Sequence, residues 1–191
     1  MEDLWLVYRC RQGDPEAFAQ LYQRYARKVY RTALQLVHRK DLAEDITQEA
    51  FMTAFQEIHR LRTPAAFRTW LYRILVSRAT RLLRQEGGAR RPLSLESLPD
   101  PVAAGQADLA EAAADLDQLA ELREAIDGLD EDLRLTVLLH YYTGLPVSEV
   151  AAALAVPPGT VKSRLFTARR RLAEALAAGT GRTALRKELS V

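Results

Sequence analysis

The polar and cationic side chains between positions 160 and 171 are the residues of this sequence best suited to bind another molecule. Their lysine and arginine donors match phosphates and the acceptor edges of bases, and their hydroxyls can donate or accept at those edges. The set is Thr160, Lys162, Ser163, Arg164, Thr167, Arg169, Arg170 and Arg171, and no acid follows until Glu174. The sequence therefore predicts a contact with duplex DNA here. The alternative is an ordinary amphipathic helix with a solvated basic face.

Two apolar patterns of helical spacing, separated by a break at residues 155–157, position these side chains. The first stripe is Val147, Val150, Ala151 and Leu154, and the second is Val161, Leu165, Ala168 and Leu172. Pro158 suits the first turn of the second helix, because the N–H that proline lacks has no helical partner there. The pattern predicts a helix-turn-helix, whose second helix is the recognition helix.

A second cationic stretch, between Arg60 and Arg91, contains nine arginines and the single acid Glu86. Trp70 and Tyr72 lie among these arginines. Phe67 and Trp70 could equally be core residues of the first domain, and for Phe67 a place on the inward stripe favours the core. Cations together with aromatic rings suit a separated strand, whose phosphates attract charge and whose unstacked bases need flat surfaces. The sequence thus predicts contact with nucleic acid at two separate places.

Residues 92–132, between the two cationic stretches, contain twelve acids against Arg123 alone. Two explanations stay open: the acids avoid or imitate the polyanion, or they solvate a linker and a helix start. In either case the formal net charge of +2 hides a strong segregation of charge along the chain.

Residues that could support catalysis or bind a metal are scarce. Cys10 is the single cysteine, and His38, His59 and His140 are too far apart in sequence for ligand spacing. Paired carboxylates, a glycine-rich phosphate loop and a nucleophile elbow are also missing from the sequence. We therefore expect no metal, no cofactor and no enzymatic activity. Because the sequence shows neither a signal peptide nor an apolar run of about 20 residues, we expect no membrane insertion and a cytoplasmic location.

The sequence predicts an all-α fold, because no segment alternates as a strand does. Its 191 residues are 48% hydrophobic and 27% charged, as in an ordinary globular protein. Asp14 is predicted to cap a first helix, and Asp41 with Glu44 resembles a capping box for a second helix over residues 42–58. A third helix is predicted over residues 63–86.

A segment rich in glycine, alanine, proline and acids predicts a flexible acidic linker between two helical domains. The predicted limits are 1–86 for the first domain, 87–114 for the linker, 115–178 for the second domain and 179–191 for a short tail. In the second domain, Asp130 is predicted to cap a helix that continues through His140, and Gly144 is predicted to stop it.

Three parts of the sequence resemble the extracytoplasmic-function (ECF) group of bacterial sigma factors, the subunits that let RNA polymerase find and open promoters. They are DPEAFAQLYQRYARKVY followed by DLAEDITQEAF at 41–51, FRTWLYRI at 67–74, and LPVSEVAAALAVPPGTVKSRLFTARRRL at 145–172. The resemblance covers nearly the whole chain. It implies that residues 1–86 form sigma region 2 and that residues 115–178 form sigma region 4.

The resemblance also implies partners for particular residues. Contacts with the clamp helices of the largest polymerase subunit are implied for Asp45, Gln48, Glu49 and Met52, a polar face that could otherwise be merely solvated. Contacts with the opened minus-10 element are implied for Leu61, Arg68, Trp70, Tyr72, Arg73, Ser77, Arg81 and Arg84. Contacts with the minus-35 element are implied for Thr160, Lys162, Ser163, Arg164, Phe166, Arg169 and Arg170. Further implied partners are the flap of the second-largest polymerase subunit and an anti-sigma factor.

Three positions depart from the family pattern. Ser77 stands where the family often has asparagine, and Leu61 stands where a larger aromatic residue is common. These departures leave open which minus-10 base is recognised. Pro157 replaces the usual serine-like cap before the recognition helix, which removes a side-chain acceptor for the exposed N–H groups.

Two other classes of function remain open from the residues alone. A transcription regulator that binds operators as a dimer explains the helix-turn-helix but leaves residues 1–86 without a role. A nucleic-acid-processing enzyme would use the arginine-rich helix to hold a strand, but the sequence offers it no metal site or nucleophile. A promoter-specificity subunit is the interpretation that explains both cationic stretches.

Overall fold

The computed structural model describes residues 2–85 and 120–188 of the chain, and these residues are helical with no strand among them. The predicted all-α class is confirmed. The helices are α1 (Glu2–Arg11), α2 (Pro15–Val37), α3 (Lys40–Glu57), α4 (Phe67–Gln85), α5 (120–127), α6 (Glu131–Val137), α7 (Val147–Leu154) and α8 (Pro158–Glu188). The predicted linker at 87–114 lies outside the described residues.

The described residues form two compact units. The first contains residues 2–85 together with Leu138–Pro158, and the second contains residues 120–137 and 159–188. The turn and first helix of the predicted helix-turn-helix thus belong to the first unit, whereas nearly all of α8 belongs to the second.

The start of α2 confirms the predicted cap. Asp14 Oδ1 accepts hydrogen bonds from the N–H groups of Glu16, at 3.0 Å, and Ala17, at 3.2 Å. These bonds satisfy donors that have no partner within the helix, and Pro15 occupies the first turn. At the other end His38 adopts a left-handed conformation, with φ of 55°, and its N–H donates to the carbonyl of Leu34.

The capping box predicted at Asp41 is wrong. The left-handed turn at His38 lets α3 begin at Lys40, with Arg39 as its N-cap residue and no capping bond from its side chain. Asp41 therefore lies inside the first turn of the helix. Its carboxylate binds the Arg39 guanidinium at 2.5 Å.

The core of the first unit lies between α2, α3 and α4. Leu21, Leu71 and Leu75 are fully buried, and each contributes about 1.5–3 kcal/mol through removal of its side chain from water. Two short 3-10 turns, Ile58–Arg60 and Pro64–Ala66, connect α3 to α4.

Helix α1 was not predicted from the sequence, because its apolar residues do not share one face. Leu6 and Val7 are buried, but Trp5 and Tyr8 are 60% and 52% exposed and stack on each other at 6.0 Å. Because buried and exposed apolar residues are adjacent, the sequence of α1 lacks the regular recurrence of apolar residues on one face that identifies an amphipathic helix.

The core of the second unit is smaller. Its buried residues are Leu129, Leu133, Val137 and Ala168, with Leu172 packed against them. The predicted cap at Asp130 is confirmed, since its Oδ1 accepts from the N–H of Leu133 at 3.0 Å.

The segment after α6 differs from the prediction. The α-helix ends at Val137, and a π-helical turn, Leu138–Tyr142, replaces the α-helix expected through His140. Gly144 ends the turn with φ of 75°, as predicted, because glycine adopts this conformation without a steric penalty.

Asp14 should link the stability of the first unit to pH. Partial desolvation acts to raise its pKa, but hydrogen bonds from Ala17 and Arg9 outweigh this and hold the pKa below the ordinary value of 3.8. A carboxyl group with a lowered folded-state pKa stabilises the protein above its unfolded-state pKa, and that contribution is lost as the pH falls through the folded-state pKa. Asp14→Ala should therefore lower the melting temperature at neutral pH, by an amount that shrinks in acid.

Asp14→Asn is the matched control, because it keeps an oxygen acceptor for the cap but removes the charge. Its loss of stability at neutral pH should be smaller than that of Asp14→Ala. Thermal unfolding followed by circular dichroism between neutral and acidic pH measures both effects. Identical melting curves for Asp14→Ala and the parent protein at neutral pH would contradict the assignment.

Candidate nucleic-acid interface

Helix α8 has one buried side and one open side. Val161, Leu165 and Ala168 are buried, which confirms the predicted apolar stripe. We define the open face of α8 as its exposed residues Lys162, Ser163, Phe166, Arg169 and Arg170. Phe166 is 65% exposed, and Ser163 Oγ donates to the carbonyl of Thr160 at 3.0 Å, so its lone pairs remain free to accept.

Two arginines of α8 form ion pairs with acidic residues at the start of α6 and are not part of the open face. Arg164 Nη2 donates to Asp132 Oδ2, and only 20% of the Arg164 side chain is exposed. Arg171 Nη1 binds Asp130 Oδ2 at 2.7 Å. Arg164, which the sequence predicts to contact a base, therefore forms an ion pair with a carboxylate of its own chain. Thr160 is partly buried.

Helix α4 carries a second cationic face. Trp70, Arg73, Ser77 and Arg81 repeat at spacings of three and four residues and share one side of the helix. They line a cavity of about 380 Å³ together with Thr53, Ile74 and Arg78. An indole between guanidinium groups can stack on an unpaired base while the arginines bind its flanking phosphates.

Four other residues predicted at the minus-10 contact do not line this cavity. Arg84 is exposed near the end of α4, in register with Arg81. Arg68 Nη2 lies 3.4 Å from both the Glu149 carboxylate and the Gly144 carbonyl within the first unit.

Tyr72 and Leu61 require a correction, because both are buried. Tyr72 is 1% exposed, and this burial raises the pKa of its hydroxyl to about 12. Leu61 is 8% exposed. The helical position of Tyr72 turns it toward α2 and the core, so neither side chain offers a surface to DNA. Phe67 is 1% exposed, as its place on the inward stripe predicted.

The polar face of α3 is exposed as expected. We define the docking face as Asp45, Gln48, Glu49 and Met52, all of which are exposed. Met52 is 54% exposed and lines the same surface depression as the exposed Tyr22 and Phe55, and contiguous apolar surface of this kind is typical of an interaction site. Glu49 has an internal role as well, because its carboxylate binds Arg78 of α4 at 3.2 Å. Arg78 in turn donates to Thr53 Oγ1 at 3.2 Å.

An apolar groove between α2 and α3 adjoins the docking face and was not predicted from the sequence. It has a volume of about 660 Å³. Tyr22 and Phe55 at its rim are 47% and 54% exposed, and they contact Phe51 and Phe18 edge to face at 4.8 Å and 5.0 Å. The sequence signal was the recurrence of large apolar residues at 52 and 55, on a helix whose buried stripe lies elsewhere.

Residues suited to metal binding or nucleophilic chemistry do not assemble in the described part of the chain. No group of three or more potential metal ligands occurs among residues 2–85 and 120–188. Cys10 is buried, and desolvation raises its pKa to about 11, which leaves the thiol protonated and unreactive at neutral pH. Across these same ranges, none of the helices combines the length and apolar character needed to cross a bilayer.

The chain matches known families and proteins over most of its length. Residues 21–88 match the family Sigma-70 region 2, and residues 119–172 match the family Sigma-70, region 4. The RNA polymerase sigma-H factor of Pseudomonas aeruginosa is 33% identical over 183 residues, which cover 92% of this chain and 94% of that protein. The ECF RNA polymerase sigma-E factor of Escherichia coli K12 is 37% identical over 182 residues, which cover 88% of this chain and 91% of that protein.

Two solved structures are similar to this one. CnrH, solved in complex with the cytosolic domain of CnrY, has a TM-score of 0.71 at 25% identity and covers 93% of this chain and 99% of its own. The sigma factor RpoE of Bartonella quintana, solved with the anti-sigma factor NepR, has a TM-score of 0.66 at 25% identity and covers 84% and 96%. From its two sigma-region matches and its identity with these factors, the chain belongs to the extracytoplasmic-function group of the sigma-70 family, the promoter-specificity subunits of bacterial RNA polymerase.

Proposed function

We propose that this sigma factor selects promoters by placing the open face of α8 in the minus-35 element and capturing the opened minus-10 strand on α4. The observation that carries the proposal is the presence of two different cationic surfaces. The face of α4 includes an indole and a cavity, whereas the open face of α8 is a plain helix surface. The first surface suits unstacked bases and the second suits the major groove of a duplex.

On the minus-35 element, Lys162, Ser163 and Phe166 contact base edges, and Arg169 and Arg170 bind phosphates. A good bidentate base contact contributes about 1–3 kcal/mol of discrimination. The phosphate contacts contribute affinity that falls with salt, because binding releases condensed counterions.

On the minus-10 element, Trp70, Arg73, Ser77 and Arg81 hold an extruded base and its flanking phosphates, with Arg84 extending the same path. Extruding a base costs a few kcal/mol, so the binding energy of the captured strand offsets the cost of unpairing it. Melting then needs no covalent chemistry, and we propose that the chain has no catalytic activity of its own.

The docking face and the adjoining groove support association with core polymerase. We propose that Asp45, Gln48, Glu49 and Met52 bind the clamp helices of the largest subunit and that region 4 binds the flap of the second-largest subunit. CnrH is solved with CnrY and RpoE with the anti-sigma factor NepR, so we also propose that an anti-sigma protein restrains this chain. The site of action is the cytoplasm, where the bacterial polymerase and chromosome are.

The proposed domain limits are those of the sequence prediction, with region 2 at 1–86 and region 4 at 115–178. Residues 87–114 would act as a tether. A flexible tether raises the effective concentration of the second DNA contact once the first has formed, so two weak sites bind a promoter with useful affinity.

Substitutions on the docking face should impair transcription without unfolding the chain. Asp45→Asn combined with Gln48→Ala changes two exposed residues, and we expect run-off transcription with core polymerase to fall at least about tenfold, as for the loss of an interface anchor. Glu49→Gln is assayed separately, because its ion pair with Arg78 joins α3 to α4. Pull-down of core polymerase measures the association directly.

The matched control is Glu16→Gln combined with Gln23→Ala, which removes the same charge and the same amide from exposed positions of α2. With core polymerase, this control should support run-off transcription as well as the parent protein does. Equal activity of the docking-face variant and the control would refute the docking assignment. A footprint of the parent on a palindromic site without polymerase would favour a dimeric regulator instead.

Substitutions on the α4 face should impair strand opening specifically. Trp70→Phe keeps an aromatic ring against Phe67, whereas Arg73→Ala with Arg81→Ala removes phosphate contacts from exposed positions. The Arg73 and Arg81 double variant loses contacts that hold the captured strand, so we expect its open complexes to decrease about fivefold or more, whereas Trp70→Phe, which keeps a ring for base stacking, should have a smaller effect. Permanganate reactivity of unpaired thymines near minus 10 measures the opening.

A template that is already unpaired at minus 10 should restore activity, because the cost of melting is then removed. Arg11→Ala, which removes an exposed arginine of α1, serves as the control and should open duplex promoters normally. If the Arg73 and Arg81 double variant opens duplex promoters as well as this control, the α4 assignment is wrong.

A further inference from the structure

The ion pair between Asp132 of α6 and Arg164 of α8 points to a role for an acid in DNA recognition. Arg164 Nη2 donates to Asp132 Oδ2, and the Arg164 side chain is 20% exposed while that of Asp132 is 64% exposed. We propose that Asp132 is a positioning residue for minus-35 recognition. It holds Arg164 against α6, so that Arg164 orients the recognition helix and does not itself contact a base. This inference rests on the proposed role of α8 at the minus-35 element.

Helical spacing places Arg164 at the border between the buried stripe and the open face. Arg171 lies seven residues later, two turns along the same side of α8, and its guanidinium binds Asp130 at 2.7 Å. Two ion pairs about 10 Å apart along the helix axis resist rotation of α8 about that axis. Rotation would displace Lys162, Ser163 and Phe166 from the base edges that they contact.

Asp130 is itself fixed in place. One of its carboxylate oxygens accepts from the N–H of Leu133, and the other binds Arg171. The cap that starts α6 therefore also sets the orientation of α8. Because α6 and α8 share the core of Leu129, Leu133, Val137 and Ala168, the ion pairs extend a contact that packing has already made.

The pair also withholds positive charge from DNA. A free Arg164 could bind any phosphate near the edge of the groove, which adds affinity without adding sequence information. With Arg164 bound to Asp132, the open face still presents Lys162 and Arg169, and Arg170 lies 3.7 Å from Glu174. The acid thus favours specific binding over nonspecific binding.

The ion pair is a poor candidate for a purely stabilising role. Asp132 is mostly exposed, and ion pairs at exposed positions contribute little to the stability of a folded domain. Loss of Asp132 should therefore leave the second unit folded, so that an effect on promoter choice can be separated from unfolding.

The test compares Asp132→Asn, Arg164→Ala and their combination in the full chain, reconstituted with core RNA polymerase. Glu131→Gln is the matched control, because it removes the neighbouring acid of α6, for which the described residues provide no ion-pair partner. Run-off transcription is measured on promoters in which each minus-35 base pair is replaced in turn. Thermal unfolding of each variant confirms that the fold is kept.

We expect Asp132→Asn and Arg164→Ala each to reduce minus-35 discrimination about tenfold, comparable to the loss of one base contact. The loss of discrimination should be spread over several base positions. The combined variant should lose no more discrimination than either single variant does, as expected for two residues that act as one unit. Affinity for random-sequence duplex should rise in Asp132→Asn, with a salt dependence steeper by about one phosphate contact. Glu131→Gln should match the parent in transcription.

Two results would overturn the inference, and they are distinguishable. If Arg164→Ala loses discrimination at a single base pair while Asp132→Asn behaves as Glu131→Gln does, Arg164 contacts that base directly and Asp132 has no positioning role. If the parent holoenzyme shows no dependence on the minus-35 sequence, the proposed function of α8 fails, and the inference fails with it.

Discussion

The close packing of α3 against its neighbours is the constraint on which the first unit depends. Ala43, Ala50 and Ala54 form much of its buried side and are fully inaccessible to solvent. Small residues let helices approach closely, so a larger side chain at any of these positions would force α2 or α4 away. Since one side of α3 is committed to this contact, Asp45, Gln48 and Met52 can only face outward. The docking face is thus a consequence of how α3 is buried.

Several arginines of the cationic helices form ion pairs within the chain. Arg78, Arg164 and Arg68 are each held by a carboxylate, those of Glu49, Asp132 and Glu149. Such pairs add little stability at exposed positions. We propose that they reduce the number of cations available to phosphate below the count of basic residues in the sequence.

Local rules predicted much of the fold correctly. The Asp14 and Asp130 caps, the stop at Gly144 and the apolar stripe of α8 depend on interactions within a few residues, and the structure contains each of them. The prediction of a capping box at Asp41 was wrong because α3 begins earlier, at Lys40, so that Asp41 lies inside its first turn. Helix α1 was missed because half of its apolar residues face solvent, which no periodicity rule anticipates.

At the candidate sites, too, the sequence predicted what depends on neighbouring residues, and the tertiary structure was needed for the rest. The sequence by itself determined the family, the all-α class and the identity of the cationic helices, because motif residues and helical periods are local properties. Tertiary structure alone decided that Tyr72 is in the core, that Glu49 joins α3 to α4, that an aromatic groove opens beside Met52, and that Arg164 binds Asp132. Each of these facts depends on residues tens of positions apart. Only folding brings such residues within the few ångströms over which packing and ion pairs act.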